Sequence, residues 1–267
     1  MSNIVQRTLS GAVYVGITVA SILWDVRMFG GVFLLVTGLG VREYHLLVQS
    51  PRWERLSAAI GGGILFATLW INQCTDMAVS CRWYVGYLAG VLVAQLFLRR
   101  TDPIAAFGHL LVSQVMVALP FALMCVILAA NPYLLLALFI TIWVNDTGAY
   151  LVGSSTAKLP NGNHKMFPRV SPNKSWEGLI GGIVFALICG YIWFRVGWIS
   201  SLMGGMAFAL VVSVFGTLGD LMESLMKRTI GVKDSGKFLP GHGGVLDRFD
   251  SILLAVPMVW IFLFLFV

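Results

Sequence analysis

Nine apolar runs near membrane-spanning length follow one another along this chain, divided by short polar segments. A spanning helix needs about 20 mainly apolar residues, and the runs lie at 9–24, 28–48, 56–73, 83–98, 104–130, 133–153, 176–198, 201–222 and 251–267. The second run carries Arg42, Glu43 and His45 in its last third. The fifth is long and holds Pro120, which predicts one kinked or tilted span rather than two.

Composition agrees with this pattern. Hydrophobic residues make up 58% of the chain and charged residues 11%, against about 25% charged in an ordinary soluble domain. The mean hydropathy of +0.86 points the same way. That much apolar surface excludes a soluble enzyme or a nucleic-acid-binding domain. The net charge of +6 reads instead as topology and as affinity for anionic lipid and phosphate.

Charge placement predicts orientation. If the N-terminus and the loops after the second, fourth, sixth and eighth runs share one side, that side holds 15 of the 18 Lys and Arg residues. The opposite side keeps Arg27, Arg82 and Arg195. Basic loops stay cytoplasmic, which puts the N-terminus and the polar loops 154–175 and 223–250 in the cytoplasm. Arg7 before an apolar run to Leu23 superficially resembles a secretory signal, but a convincing small-residue cleavage site is missing, so a retained first span is expected. The expected fold is all-α, a polytopic membrane protein of nine helices with a polar cavity open to the cytoplasm. Residues 1–130 form an N-terminal scaffold and 131–267 a catalytic region. Cys74 and Cys81 flank one short outer loop, where a disulfide is conceivable; Cys125 and Cys189 sit in apolar runs as packing residues.

Three polar clusters stand out. Asp220, Glu223, Ser224 and Lys227 are spaced three or four apart, so a helix sets them on one face. Asp247 and Asp250 repeat that spacing where the chain returns toward the membrane. Two carboxylate-bearing helix ends joined by a glycine-rich loop can bracket one or two Mg²⁺ ions, which favour carboxylate, water and substrate phosphate. The loop itself, Pro240-Gly241-His242-Gly243-Gly244, is either a plain turn or a backbone that approaches phosphate closely. Lys227, Arg228 and Arg248 flank it.

The second cluster is Ser171-Pro172-Asn173-Lys174-Ser175-Trp176-Glu177-Gly178. Pro172 and Asn173 predict a turn and Ser175 a helix cap, with Lys174 beside the positive end of the helix. The third is Asp146, inside the sixth run. A carboxylate there faces a wet cavity or a cation, or else is bonded to neighbouring helices.

These residues carry a resemblance. The run Ser224-x-Met226-Lys227-Arg228-x4-Lys233-Asp234-x-Gly236-x2-Leu239-Pro240-x-His242-Gly243-Gly244-x2-Asp247-Arg248-x-Asp250 resembles the signature of the phosphatidate cytidylyltransferases, also called CDP-diacylglycerol synthases. Asn145-Asp146-Thr147-Gly148-Ala149-Tyr150 and the Ser171–Gly178 stretch are similar to that family too, so the likeness covers roughly residues 140–267.

The resemblance implies cytidylyl transfer from CTP to phosphatidic acid, giving CDP-diacylglycerol and pyrophosphate. It also implies Mg²⁺, with a monovalent cation such as K⁺ beside it, and a homodimer. A length of 267 residues without targeting tails leads to the expectation of a bacterial inner-membrane location. Asp220 and Asp247 match metal-ligand positions, with Asp146, Glu223 and Asp250 as auxiliaries. Lys227, Arg228 and Arg248 would act on phosphate at the reacting centre. Ser171, Asn173, Lys174, Ser175, Glu177, Ser224, Lys233, Asp234, His242, Gly243 and Gly244 would bind CTP or lipid phosphate. The chemistry is consistent, because a phosphate monoester with a second pKa of about 6 is largely ionised at neutral pH and needs no protein base. The rivals are a CTP-dependent lipid kinase, whose hydroxyl acceptor would need such a base, and a transporter of a phosphorylated solute. Transport is disfavoured by the lack of an internal repeat.

Overall fold

The computed structural model describes residues 3–98, 102–160, 162–236 and 243–266, with the side chains of residues 3–7 and 265–266 excepted. Within them each apolar run is helical. In chain order the helices are α1 (Asn3–Leu23), α2 (Val26–Leu47), α3 (Arg52–Cys74), α4 (Arg82–Phe97), α5 (Pro103–Ser113) and α6 (Leu119–Ala130). There follow α7 (Pro132–Thr156), α8 (Trp176–Arg195), α9 (Leu202–Thr229), the single turn α10 (Leu246–Phe249) and α11 (Ile252–Phe266). Among the described residues, five helical stretches are long and apolar enough to cross a membrane: α3, Pro103–Ala130, α7, α8 and α9. The chain is thus a mostly helical membrane protein.

Two departures from the all-α expectation have local causes. A π-helical turn, Gln114–Ala118, joins α5 to α6 in one continuous stretch. It ends two residues before Pro120, whose missing N–H and ring bulk break the ordinary i→i−4 ladder. Pro120 therefore lies inside one continuous helical stretch, Pro103–Ala130, rather than between two spans. The second departure is a short antiparallel hairpin, β1 (Lys165–Phe167) with β2 (Ser171–Ser175), in the loop before α8.

The chain divides into two compact units, Met1–Ala130 with Asp234–Phe249, and Asn131–Lys233 with Asp250–Val267. The first is built on aromatic packing. Phe29, Phe33, Phe66 and Phe121 are fully buried. Phe249 joins them, its ring 5.3 Å from Phe121 and 6.1 Å from Phe33, both edge-on. The signature loop is thereby anchored at its end to the core of this unit. Cys74 and Cys81 are both free, and the Cys74 thiol points instead to the Cys125 carbonyl at 3.6 Å.

The second unit packs α7 on α8, α8 on α9 and α9 on α11. Apolar lipid gives helices little reason to associate, so close backbone approach at small residues does that work. Gly190 of α8 and Gly205 of α9 meet so closely that a Cβ on either would lie 2.4 Å from the other's carbonyl oxygen. Gly219 plays the same part next to Asp220, where a Cβ would lie 2.8 Å from the Asp250 carbonyl oxygen. Trp193 stacks on Trp198 at 4.8 Å and donates its indole N–H to Thr141 at 3.0 Å.

Candidate active site

In the second unit, α7, α8, α9 and the hairpin enclose a cavity of about 320 Å³. Asp146, Asn173, Lys174, Ser175, Thr217 and Asp220 are among its walls. Each comes from a different structural cause. Asp146 lies beyond the midpoint of α7, beside Asn145, whose Nδ2 donates to its Oδ1 at 3.2 Å. Asn145 is held in turn by the Ser213 hydroxyl. Lys174 is on β2, and the hairpin carries it toward α9, where its Nζ lies 2.7 Å from Asp220 Oδ2. The same ammonium reaches the Thr217 carbonyl at 3.4 Å. Ser224 donates to Asp220 Oδ1 at 3.2 Å, one helical turn on.

α9 is 28 residues long, about 42 Å at about 1.5 Å per residue, against a hydrocarbon core of about 30 Å. About 12 Å of that length exceeds such a core, and Asp220, Glu223, Ser224, Lys227 and Arg228 lie in the last three turns of the helix. Glu223 is buried and pairs with Lys227 four residues later. Arg228 donates Nε to the Val170 carbonyl at 3.4 Å and Nη1 to the Val232 carbonyl at 3.1 Å. Its guanidinium therefore ties the hairpin turn to the end of α9. Asp250 lies electrostatically close to Asp220, Glu223 and Asp146; burial first, then those carboxylates, hold its carboxyl well above the ordinary range.

The start of α8 is capped as the sequence predicts, with Ser175 Oγ accepting the Gly178 N–H at 3.1 Å. The Trp176 N–H goes to the His164 carbonyl at 3.0 Å. Glu177 is turned to the hairpin, where it accepts from the His164 backbone N–H at 3.0 Å and meets its ring Nδ1 at 2.6 Å. Ser171 and Lys233 stand outside the residues that wall the cavity.

The remaining expected residues belong to the first unit. Asp247 Oδ2 accepts the backbone N–H groups of Ser235 at 2.9 Å and Gly244 at 2.7 Å. Gly243 has φ +80°, in the left-handed region that favours glycine, and it leads the chain back over Asp247. Asp234 is exposed. The Arg248 carbonyl accepts from the Tyr14 hydroxyl at 3.3 Å. His242 lies outside the described residues, as do Pro240 and Gly241. Asp220 and Asp247 thus fall in different units.

One residue was missed by the sequence reading. Glu43 of α2 is 6% exposed and its Oε2 accepts the Leu246 N–H at 2.8 Å. The only signal for it was a carboxylate inside an apolar run.

The donors around Asp220 suit Mg²⁺. Carboxylates and a hydroxyl are hard oxygen ligands, and Mg²⁺ commonly takes only one or two carboxylates and completes its shell with water and substrate phosphate. Among the described residues no three Asp, Glu, His or Cys side chains form a group that could hold a metal ion by themselves, so Mg²⁺ here would depend on water and substrate phosphate for the rest of its shell. The arrangement can hold a polyanion: an ammonium and carboxylates share one cavity, and a cation bound there would relieve their repulsion.

The cytidylyltransferase family model matches residues 5–266. The chain is 46% identical over 132 residues to the phosphatidate cytidylyltransferase of Staphylococcus haemolyticus (strain JCSC1435), covering 49% of this chain and 48% of that protein. It is 47% identical over 137 residues to the protein of the same name from Staphylococcus aureus (strain COL), with 49% and 48% covered. Against that of Bacillus subtilis (strain 168) it is 48% identical over 128 residues, covering 48% of this chain and 46% of the relative. The chain spans about half the length of the curated relatives it matches. With a family match running almost end to end, the chain belongs to the cytidylyltransferase family.

Proposed function

We propose that the chain transfers a cytidylyl group from CTP to phosphatidic acid, giving CDP-diacylglycerol and pyrophosphate. The observation that carries this reading is the cavity in which Lys174 meets Asp220 near Asp146. Its setting is a family whose matched relatives are named phosphatidate cytidylyltransferases.

A phosphate monoester oxygen of the lipid attacks the α-phosphorus of CTP. The bond from that phosphorus to the bridging oxygen of the β-phosphate breaks, and pyrophosphate leaves with the electron pair. The nucleophile is already ionised near neutral pH, so no side chain need take a proton. The obstacle is charge: two anions must meet and a third must depart. Lys174 places an ammonium in the cavity, while Asn173 and Ser175 offer neutral hydrogen-bonding groups. Lys233 and Arg248 are the proposed further cations for phosphate; Lys227 and Arg228 would join them only by exchanging their present partners, Glu223 and the Val170 and Val232 carbonyls.

Asp220, with Asp146 and Asp250, would hold Mg²⁺, with K⁺ as the proposed monovalent companion; Asp247 is proposed as a further metal carboxylate. Bound there, the metal would neutralise phosphate charge in the transition state. The cavity is proposed to open to the cytoplasm of a bacterial inner membrane, where CTP arrives from water while the lipid tails stay in the bilayer. A homodimer is proposed as the working assembly.

The test is pyrophosphate release by purified protein in detergent. Release should require CTP, Mg²⁺ and phosphatidic acid together, and diacylglycerol should not replace phosphatidic acid. Release without phosphatidic acid, or none with all three, would contradict the proposal.

A further inference from the structure

Glu43 has no part in the reaction as proposed, yet it reaches across 203 positions of sequence to the signature loop. Its Oε2 takes the Leu246 N–H at 2.8 Å. Its Oε1 faces two of the signature's glycines. A Cβ on Gly236 or on Gly244 would lie 1.8 Å from that oxygen, a distance no real Cβ contact shows. These glycines therefore make room for an internal carboxylate. That differs from the first expectation for the loop, in which glycine served to bring backbone near phosphate.

The same segment is held from within. Asp247 Oδ2 takes the N–H groups of Ser235 and Gly244, so each described flank of the loop is tied to the other. Phe249 then seats the end of the segment among Phe33 and Phe121, and the Tyr14 hydroxyl holds the Arg248 carbonyl. Asp247 closes the loop on itself. Glu43 fixes the closed loop to α2.

We propose that Glu43 is a positioning residue: from α2 it sets the conformation of the Ser235–Gly236 and Gly243–Asp247 flanks, and so the placement of Asp247 and Arg248. Its influence on cytidylyl transfer rests on the function proposed above. Its influence on loop conformation does not.

The experiment follows amide hydrogen exchange over Gly243–Phe249 in detergent-purified protein, with kcat and KM for CTP measured on the same samples. Glu43→Ala should speed exchange in that segment by about tenfold or more while the helices of the second unit keep wild-type exchange. Its kcat should fall about 100-fold, the scale of a misplacement near 1 Å, with KM changed by about threefold at most. Glu43→Gln, which keeps an acceptor oxygen, should recover part of both. Gly236→Ala should open the segment by itself, and should add little in the Glu43→Ala background, where the clashing oxygen is gone. Should Glu43→Ala not yield folded protein, Glu43→Gln and Gly236→Ala carry the same readout. Wild-type exchange over Gly243–Phe249 in folded Glu43→Ala or Glu43→Gln protein would overturn the proposal. So would Gly236→Ala damage that is equal with and without Glu43. Wild-type protein lacking cytidylyl transfer would remove the reaction and leave the exchange result to judge Glu43.

Discussion

Asp220 is the residue on which the second unit's site turns. It meets the Lys174 ammonium on one oxygen and the Ser224 hydroxyl on the other, in a cavity that also contains Asp146. Asp220→Asn keeps the shape and removes the charge, so turnover should fall about 100- to 1,000-fold, the range for loss of one charge-stabilising group. Membrane insertion and yield should not change. Near-normal turnover in this variant would remove the metal assignment of Asp220. Lys174→Gln should lower kcat/KM for CTP about tenfold or more at fixed Mg²⁺, as measured by pyrophosphate release. An unchanged value would mean that Lys174 serves the hairpin alone.

At this scale the sequence disclosed residue types better than partners. Lys174 and Asp220 were both legible as chemistry, but their 2.7 Å pairing depends on a hairpin that periodicity could not reveal. Lys227 and Arg228 read as phosphate cations, whereas Glu223, Val170 and Val232 occupy them here. Glu43 was visible only as a blemish in an apolar run, because its partner Leu246 lies 203 residues on.

Helices were the most legible elements, since 16 to 27 residues of apolar run leave few alternatives in lipid. Turns of special geometry were not. The strands β1 and β2 hold only three and five residues, too few for a period of two to stand out in the sequence. The π turn before Pro120 follows from that proline, yet its register cannot be placed from composition.

Two predictions belong to this scale. Ser175→Ala removes the α8 cap and should cost about 1 kcal/mol, lowering Tm by about 2–4 °C in a detergent thermal melt. An unchanged Tm would mean that the cap bond to Gly178 contributes nothing. Gly190→Ala would drive a Cβ to 2.4 Å from the Gly205 carbonyl oxygen, and overpacking of this kind costs about 1–3 kcal/mol. Its Tm should fall further than that of Ser175→Ala; a smaller fall would mean α8 and α9 separate easily.

The whole molecule raises the question of which side its polar loops face. The basic residues predict the hairpin loop in the cytoplasm and the α3–α4 loop outside. Cys81 is exposed and free in the latter, and Lys158 is exposed in the former. A membrane-impermeant maleimide on intact cells should label native Cys81. In a Cys81→Ser background, Lys158→Cys should react only after the membrane is opened. The reverse pattern would invert the topology and place the cavity away from the CTP pool. Spans and charge bias made this orientation readable as an expectation, while the split into two units, with Asp234–Phe249 joined to the N-terminal helices, depended on contacts no single sequence exposes.

The central claim is cytidylyl transfer, and following each phosphate of CTP tests it most directly. Purified protein would be given phosphatidic acid, Mg²⁺ and CTP labelled in parallel at the α or the γ phosphate. The account predicts label in lipid from α-labelled CTP alone, with the γ label recovered in pyrophosphate. Lipid labelled from the γ position, on phosphatidic acid or on a diacylglycerol or polyprenol acceptor, would contradict it and make the chain a kinase.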